Sequence, residues 1–516
     1  MINQSIAGRP NTIPEFNTEP IPFDLFLKNL KERMVNVLHV RADINQLATK
    51  RGMPPFVMRE IMDLNPLSVG IPKEYGGRGC KMEEGIALLA AVAYESLALS
   101  LTLGINNALF LQPIAKYAQE EAKKAVFERF MNHQNMGGLM ITEPGFGSDA
   151  LNMQSSFIKH GDNYHIKGTK HWAGLTGWAE FWLLTARERG ESGDLKRDID
   201  FFICDVNAPN QQIIVEEIFE TLGLYQIPYG RNRLDVAIPE VQKLLPETSG
   251  VKLMLDLLHR SRMQIPGIAM GFIHRLLDES IAHANQREIG GKPLFTYDQV
   301  QQRLSKLQAS YTICSAMCAN SSEIAGIEND LSLIGFEANS VKSVVTDLMQ
   351  EAAQSATQLM GAQAYKLDHI AGRGITDSRP FQIFEGSNDI LYAQISESLV
   401  KMMKKTKESN LYQFLKNYNL TSKTATFLKK MLDFELNTNL PQRNMVELGQ
   451  VLGRIASYEM VINLGEKGFR KDLINNALAM LHQEIAALMS NFSHQNNTTV
   501  IEDYMENSSW LNFIRV

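Results

Sequence analysis

The feature of this sequence that most constrains its fold is a change of character that occurs twice along the chain. Residues 1–137 carry mostly helical patterns, residues 138–247 contain several short β-type runs, and helical patterns return from about Val251. The β-type runs include SSFIKHGDNYHIKG, AEFWLLTARE, DIDFFICDV and RNRLDVAIP. This order predicts a mainly α protein with a central β domain between two helical regions.

The chain is also too long to form one domain. Its 516 residues exceed the size that one hydrophobic core usually serves, so roughly two to four domains are expected. A run rich in Lys and Ser, MKKTKESN from Met403 to Asn410, predicts one further boundary. Beyond it, apolar residues recur at helical spacing from Ile474 to Leu488. The predicted domains are therefore 1–137, 138–247, 248–401 and 402–516.

Charge and cysteine content argue against several classes of protein. A net charge of -6 gives no electrostatic reason to expect nucleic acid as a partner. The chain has 4 cysteines, which are too few for a disulfide framework. Cys314 and Cys318 share a helical spacing, but no His or Cys pair beside them in the sequence completes a metal site. We therefore expect buried, reduced thiols and no bound metal.

Two segments bear on where the protein resides. The N-terminal sequence MINQSIAGRPNTIPEF has no long apolar stretch, which indicates no secretory signal and favours a cytoplasmic, bacterial protein. From Ile86 to Phe110 the chain is apolar and long enough to span a bilayer. However, Glu95 lies in the middle of this stretch, and Gly104 and Asn107 interrupt it. We therefore favour a core helix over a transmembrane helix.

One glycine-containing loop is suited to holding a ligand. The common hydrolase signatures GxSxG, HExxH and GxxxxGK[ST] are absent from the sequence. Between Leu139 and Asp149, a β-type run leads into the loop TEPGFGSD. Glycines let backbone N–H groups approach a ligand closely, and such loops often hold phosphates or flat cofactors. An ordinary loop leaving a strand is the alternative interpretation.

A second segment, FQIFEGSND from Phe381 to Asp389, places an acid beside a glycine just before a new helix. Ser387 is suited to the N-cap of that helix, and Asp389 to its first turn. These structural roles explain Ser387 and Asp389 but leave Glu385 unexplained. A carboxylate at this point could project into a cleft.

Several motifs in the correct order resemble the acyl-CoA dehydrogenase family. They are IPKEYGGRG, TEPGFGSD, GTKHWAG, the stretch beginning RMQIPGIAMGF, and IFEGSND, within a match from about Phe23 to Lys401. The resemblance implies an N-terminal helical domain, a small β-barrel and a four-helix bundle. Residues 402–516 would then be an extra helical extension, which loosely resembles the C-terminal domain of the very-long-chain branch.

The resemblance also implies a reaction. The family uses FAD to convert a fatty acyl-CoA to the trans-2-enoyl-CoA, as in fatty acid β-oxidation. Glu385 matches the base that removes the α proton, while the flavin accepts the β hydrogen as hydride. The backbone N–H of the same Glu and a flavin ribityl hydroxyl polarise the thioester carbonyl in the family, which is an oxyanion-hole arrangement.

The family's binding residues carry over position by position. FAD contacts are implied for Ile141, Thr142, Gly147, Ser148, Trp172, Gly174, Thr176, Arg287, Gln358, Gly361, Ser387 and Asp389, and substrate contacts for Ser148, Arg262 and Gly386. Of these, Arg287 and Gln358 are expected to reach the FAD of a neighbouring subunit. Several positions depart from the family pattern. Gly174 replaces a Thr that bonds the flavin edge, with Thr176 close by, and His259 replaces an Asp that helps to hold CoA. The other departures are Gly290 in place of a Phe, Thr376 in place of an Arg, and an altered turn at Gly361–Ala364.

Partners and alternatives follow from the same resemblance. The expected partners are an acyl-CoA substrate, an electron-transfer flavoprotein or similar acceptor, and further copies of the chain in a homodimer or homotetramer. The extension leaves open a peripheral membrane contact. Two alternatives remain: the same chemistry on an acyl carrier protein thioester, which His259 and the altered turns support, and a family member with little turnover that serves as an assembly or scaffold protein.

Overall fold

The structure, a computed structural model, describes residues 20–494 and 499–503. The start of the predicted N-terminal domain and the end of the predicted extension lie outside these residues. A helical region comes first in the chain. Its helices are α1 (Phe23–Val35), α2 (Ile44–Leu47), α3 (Pro55–Met62), α4 (Met82–Glu95), α5 (Leu97–Asn106), α6 (Gln112–Tyr117) and α7 (Glu120–His133).

The apolar stretch of this region forms buried helices. Ser96 has an extended backbone and ends α4, and its hydroxyl accepts a hydrogen bond from the Leu99 N–H at the start of α5. The helix continues from Leu97 to Tyr117 through one π-helical turn at Asn107–Leu111. This helix is long and apolar enough to cross a membrane, but 94% of its most apolar window is buried inside the described chain. The stretch that was predicted to be one core helix therefore forms two buried helices, which meet at Ser96.

A curled sheet, a half-barrel, follows the first helices. Its strands are β1 (Gly137–Met140), β2 (Ser156–His160), β3 (Asn163–Gly174), β4 (Phe181–Glu188), β5 (Asp200–Asp205), β6 (Ile214–Ile218) and β7 (Tyr229–Pro239). They lie in the order β1-β4-β2-β3-β7-β6, and β5 pairs with β4. The predicted central β domain is confirmed. The sequence pattern does not predict β6, because all of its side chains are exposed and its sequence IVEEI does not alternate.

The second helical region forms the bundle. Its elements are α8 (Gly250–Arg262), α9 (Ile265–Gln286), a small hairpin of β8 (Glu288–Ile289) and β9 (Lys292–Pro293), α10 (Asp298–Ile324), α11 (Gly335–Met360), α12 (Ile370–Ser378) and α13 (Asn388–Thr406). The long helices α9, α10, α11 and α13 pack side by side. Gly361, with a φ of 65°, ends α11 as its sequence position predicts.

The last helices pack onto this bundle. They are α14 (Leu411–Lys416), α15 (Ser422–Phe427), α16 (Lys429–Leu432), α17 (Gln442–Glu466) and α18 (Lys471–Ser493). Helix α17 contacts α10, α11 and α13, and α18 contacts α10 and α17. The apolar face of α18 is buried within the same chain; its buried residues are Ile474, Ala477, Leu481, Ile485 and Met489. This face is therefore not free for a membrane or a partner.

Candidate active site

The centre of the site is Glu385, in the short link between the turn Arg379–Gln382 and helix α13. Its backbone is left-handed, with a φ of 54°, and the φ of Gly386 is 95°. A left-handed conformation is costly for a residue with a side chain, and it persists where the surroundings hold it in place.

Two buried cations bind the backbone of the link. The Arg262 guanidinium donates to the Glu385 carbonyl oxygen from Nε at 3.1 Å and from Nη2 at 2.6 Å. Arg262 Nη1 also donates to Asn339 Oδ1 at 2.7 Å. The Lys342 ammonium donates to the Gly386 carbonyl oxygen at 2.8 Å and to Asn388 Oδ1 at 2.9 Å. These bonds fix the direction in which Glu385 leaves the backbone.

The Glu385 carboxylate is only partly satisfied. The Ser261 hydroxyl donates to Oε1 at 2.7 Å. The other oxygen, Oε2, is buried without a hydrogen-bond partner among the described residues. Burial raises the pKa of Glu385 above its ordinary value, against the opposing effects of Ser261, Arg262 and Lys342. A raised pKa and an unpaired oxygen are what a general base requires.

Glu385 forms part of the wall of a cavity between the first helical region and the bundle. The other lining residues are almost all apolar: Leu89, Leu101, Gly104, Ile105, Ala108, Leu109, Ser261, Gln264, Ile265, Ile268, Phe381 and Phe384. A lining of this kind favours apolar groups over water. The structure thus places the Glu385 carboxylate beside an apolar cavity.

The glycine-containing loop after β1 is held by a buried ion pair. Glu143 accepts from Lys170 Nζ at 2.8 Å and from the backbone N–H groups of Gln154 and Ser155 at 2.5 Å and 3.0 Å. The carbonyl oxygen of Thr142 accepts from the His171 N–H at 2.8 Å. These contacts join the TEPGFGSD and GTKHWAG segments, which are far apart in sequence. Sequence reasoning quoted both segments without assigning a role to the pair.

The predicted flavin contacts on this loop and on β3 are accessible. Gly147 and Ser148 are exposed, while Ile141 and Thr142 are half-buried. The Trp172 side chain is 54% exposed, with a φ of 58°, and its ring packs against Phe219 at 4.6 Å between centroids. A Cβ added at Gly147 would meet nothing within 4 Å. An open loop beside an exposed indole fits a flat aromatic cofactor such as the flavin of FAD.

Thr176 does not stand in for the missing threonine hydroxyl at position 174. The residue is 1% exposed, its hydroxyl donates to the Ala173 carbonyl oxygen, and it accepts from the Asn232 amide. A Cβ at Gly174 would lie 2.9 Å from Ile105 Cδ1 and 3.2 Å from the Tyr229 ring. The glycine therefore makes room for these two side chains, and a hydroxyl from Thr176 is used inside the protein.

Three further predicted FAD contacts lie at the outer ends of bundle helices. Arg287 directly follows α9, and Gln358 and Gly361 lie at the end of α11; all three are exposed. His369, the N-cap residue of α12, interacts electrostatically with His283 near the end of α9, which places the end of α9 near the segment that follows α11. The structure thus brings these residues to one end of the bundle, separate from the Glu385 link.

Ser387 and Asp389 occupy the positions that their residue types predict. Ser387 is the N-cap of α13 and Asp389 lies in its first turn, but the Ser387 side chain makes no capping hydrogen bond. Asp389 is exposed and Ser387 is half-buried. Both lie next to the Glu385 link, and their contact with a cofactor stays a prediction.

Sequence reasoning missed most of the groups that hold Glu385. Ser261 and Lys342 lie on α8 and α11, and Tyr229 begins β7 and interacts electrostatically with Glu385. Arg262 was predicted to bind substrate, but at least three of its N–H groups are bonded to the protein. No local pattern signals these roles, because each depends on contacts between distant segments. Among the described residues, no group of three or more His, Cys, Asp or Glu side chains could hold a metal ion.

Comparison with known proteins gives the family. Sequence models of three acyl-CoA dehydrogenase domains match this chain: the N-terminal domain at 31–134, the middle domain at 138–236 and the C-terminal domain at 248–400. An acyl-CoA dehydrogenase of Bacillus subtilis (strain 168) is 26% identical over 342 residues, 65% of this chain and 86% of that protein. The mitochondrial very long-chain specific acyl-CoA dehydrogenase of Mus musculus is 24% identical over 398 residues, 75% of this chain and 60% of that protein.

Solved structures share the fold. Butyryl-CoA dehydrogenase from Megasphaera elsdenii superposes with a TM-score of 0.65 and 20% identity, covering 76% of this chain and 100% of that chain. An acyl-CoA dehydrogenase from Bacillus anthracis, solved with FAD, gives a TM-score of 0.71 at 16% identity and covers 92% of both chains. The three matched domains follow one another in this chain in the order of its two helical regions and half-barrel. The chain belongs to the acyl-CoA dehydrogenase family, whose members are FAD-dependent oxidoreductases.

Proposed function

We propose that this protein dehydrogenates a fatty acyl-CoA between Cα and Cβ to give the trans-2-enoyl-CoA, with Glu385 as the base. The observation that carries the proposal is the unpaired Oε2 of Glu385, on a residue that lines an apolar cavity. An α C–H group is weakly acidic, so its removal needs a positioned base and a polarised carbonyl. Burial raises the pKa of Glu385 and so increases the basicity of its ionised form.

Each residue has a distinct part in this mechanism. The cavity walls hold the acyl chain and keep water away from the reacting carbons. The Ser261 hydroxyl keeps one carboxylate oxygen in place, so the other faces the α proton. The backbone N–H of Glu385 polarises the thioester carbonyl. FAD, held by the loop from Thr142 to Ser148 and by Trp172, supplies a hydride acceptor when bound.

The two alternatives have less support. Of the two supports for the acyl carrier protein alternative, His259 and the altered turns, His259 is 4% exposed and has its Nδ1 2.7 Å from the Leu331 carbonyl oxygen. A histidine in that position does not face a carrier. The scaffold alternative does not account for a carboxylate held with one oxygen unpaired against an apolar cavity, since an unpaired buried oxygen is costly to keep.

The wider setting of the enzyme belongs to the same proposal. We infer a cytoplasmic protein that forms a homodimer or homotetramer and passes its electrons to an electron-transfer flavoprotein. The exposed positions of Arg287 and Gln358 at one end of the bundle support binding of a neighbouring subunit's FAD. Arg287→Ala would then lower FAD content without unfolding the protein.

Anaerobic bleaching of the flavin tests the proposed function. Wild-type holoenzyme is mixed with acyl-CoA thioesters of increasing chain length, and flavin absorbance is followed by stopped flow. Glu385→Gln keeps the shape of the side chain but removes the base, so we expect reduction at least about a hundredfold slower. Glu459→Gln is a matched control, because Glu459 is a buried Glu on α17 whose carboxylate binds Thr424.

Two results would contradict the proposal. A protein that binds FAD but is bleached by no thioester is not a dehydrogenase of this substrate class. If Glu385→Gln reduces the flavin as fast as wild type, the base lies elsewhere.

A further inference from the structure

A buried polar cluster connects the C-terminal extension to the bundle. Arg454 on α17 is 6% exposed, and both its Nη1 and Nη2 lie 3.2 Å from Asp347 Oδ2 on α11. The Tyr392 hydroxyl on α13 donates to the same Asp347 oxygen at 2.6 Å, and Arg454 Nη1 donates to that hydroxyl. Glu484 on α18 lies 3.6 Å from Arg454 Nε. Four helices thus meet around one guanidinium.

The other oxygen of Asp347 holds the catalytic link. Its Oδ1 accepts from Gln382 Nε2 at 2.8 Å and from Asn388 Nδ2 at 2.7 Å. Gln382 lies three residues before Glu385, and Asn388 three residues after it. Asp347 therefore fixes both ends of the link in which Glu385 takes its left-handed backbone. A link without regular hydrogen bonding depends on such contacts to keep one conformation.

Asp347 in turn depends on Arg454. The Asp347 side chain is 17% exposed, and a carboxylate with so little water needs a counter-charge. Lys342, on the same helix, directs its ammonium at Gly386 and Asn388 instead. Removing Arg454 would leave the carboxylate buried without the cation that it contacts, and Gln382 and Asn388 would lose a fixed acceptor.

Arg454 lies in a different part of the chain from the residues that it supports. The family's matched domains end at residue 400, so Arg454 lies in the extension and outside the matched dehydrogenase. We propose that Arg454 is a positioning residue: it holds Asp347, which holds Gln382 and Asn388, and so aims Glu385 at the α proton. The inference rests on the proposed role of Glu385 as base. It makes the extension part of the catalytic apparatus.

The test uses the full-length holoenzyme and separates positioning from folding. Arg454→Met removes the positive charge and both guanidinium donors to Asp347, whereas Arg454→Lys keeps a cation. We expect Arg454→Met to slow flavin reduction at saturating acyl-CoA by about 10- to 100-fold, because small displacements of a catalytic group cost rates of this order. FAD content and the Kd of a non-reducible acyl-CoA thioether should change less than about threefold, and Arg454→Lys should recover most of the rate.

Glu459→Gln is the matched control for general damage to α17. Its carboxylate is as buried as Arg454 and binds Lys423 and Thr424 of the extension rather than Asp347. It should lower the melting temperature and leave the rate of flavin reduction near wild type, when both are measured well below that temperature. If Arg454→Met slows reduction no more than Glu459→Gln, Arg454 is only structural and the inference is wrong.

A double-mutant cycle keeps the test decisive if Arg454→Met folds poorly. Asp347→Asn and Arg454→Met act on one path, so the double variant should be no slower than the slower single variant. If the fold-losses in the rate of flavin reduction multiply in the double variant, the two residues act independently and the proposed path from Arg454 through Asp347 is wrong. Glu385→Gln separates the failure of the proposed function from the failure of this inference. If Glu385→Gln reduces the flavin fast, Glu385 is not the base. If Glu385→Gln is inactive but Arg454→Met is fast, only the positioning role of Arg454 is wrong.

Discussion

Two carboxylates of this protein have opposite surroundings, one in the half-barrel and one in the bundle. Glu143 is 4% exposed, and its oxygens accept from a lysine and from two backbone N–H groups. Glu385 has one oxygen bonded to Ser261 and one buried without a partner. Burial alone would raise both pKa values, but the Lys170 charge and hydrogen bonds lower the pKa of Glu143, while the pKa of Glu385 stays raised.

The difference shows how one type of side chain serves two purposes. A carboxylate with all its lone pairs satisfied is a structural anchor, because each of its bonds favours the ionised form. A carboxylate with a free oxygen is a base that still has a proton site open. Burial does not distinguish these roles, whereas pairing does. The ion pair of Glu143 and Lys170 holds the glycine-containing loop, whereas the unpaired oxygen of Glu385 fits the proposed role as base.

The comparison predicts its largest effect on stability at Glu143. Glu143→Gln leaves Lys170 as a buried cation without its carboxylate, so the free energy of unfolding should fall by about 3–5 kcal/mol. Urea unfolding followed by circular dichroism measures this. The double variant Glu143→Gln with Lys170→Met removes both charges and should regain part of the loss. A single variant as stable as wild type would show that the pair contributes nothing.

Glu385→Gln should behave in the opposite way in the same unfolding experiment. Because the folded-state pKa of Glu385 is raised, ionisation favours the unfolded chain, and this contribution to stability is lost as pH rises through the folded pKa. Glutamine does not ionise, so the variant should gain stability relative to wild type as pH rises. A constant difference across pH would contradict the raised pKa.

Ser261→Ala sharpens the comparison, because it removes the hydrogen bond that the Ser261 hydroxyl donates to the Glu385 carboxylate. Hydrogen bonds to charged groups contribute about 1.5–3 kcal/mol, and this one lowers the pKa of Glu385. Its loss should slow flavin reduction by about tenfold on the acid side, with recovery as pH rises and the carboxylate ionises. Ser310→Ala is the control, since that buried hydroxyl donates to the Lys306 carbonyl oxygen within α10. Equal slowing at every pH would point to lost orientation instead.

Lys342→Met should have the smallest effect, and only over part of the pH range. Burial lowers the pKa of Lys342 to about 7, and below that pH its positive charge favours ionised Glu385. The variant should therefore reduce flavin roughly threefold more slowly on the acid side. Above about pH 7 the wild-type lysine is neutral as well, so the part of the difference that its charge causes should vanish. Profiles that stay apart at high pH would show that the hydrogen bonds of Lys342 matter more than its charge.

Sequence alone is enough to single out Glu385 as the candidate base, because its motif is local. Glu385, Gly386 and Ser387 are adjacent, and the β-type and helical runs have readable periods. The bond from Ser261 to Glu385 joins residues 124 positions apart, and that from Arg454 to Asp347 joins residues 107 apart. Such contacts exist only after helices have packed, so no spacing rule predicts them. The buried hydroxyl of Thr176 is a similar case, since proximity in sequence suggested a free donor.

The π-helical turn at Asn107–Leu111 has a consequence for how such enzymes diversify. A π turn holds one residue more than an α-helical turn requires, and here Ala108 and Leu109 from that turn line the cavity. Each residue of an α-helix advances the chain by about 100°. Deleting one residue from this turn would restore a regular α-helix and leave the register of the two flanking halves unchanged, because the π turn already absorbs the extra residue. The change would be confined to the turn itself, so different side chains would take the places of Ala108 and Leu109 at the cavity. Loss or gain of a single codon, rather than a series of substitutions, is thus a direct route by which a descendant of this protein could acquire a different chain-length preference.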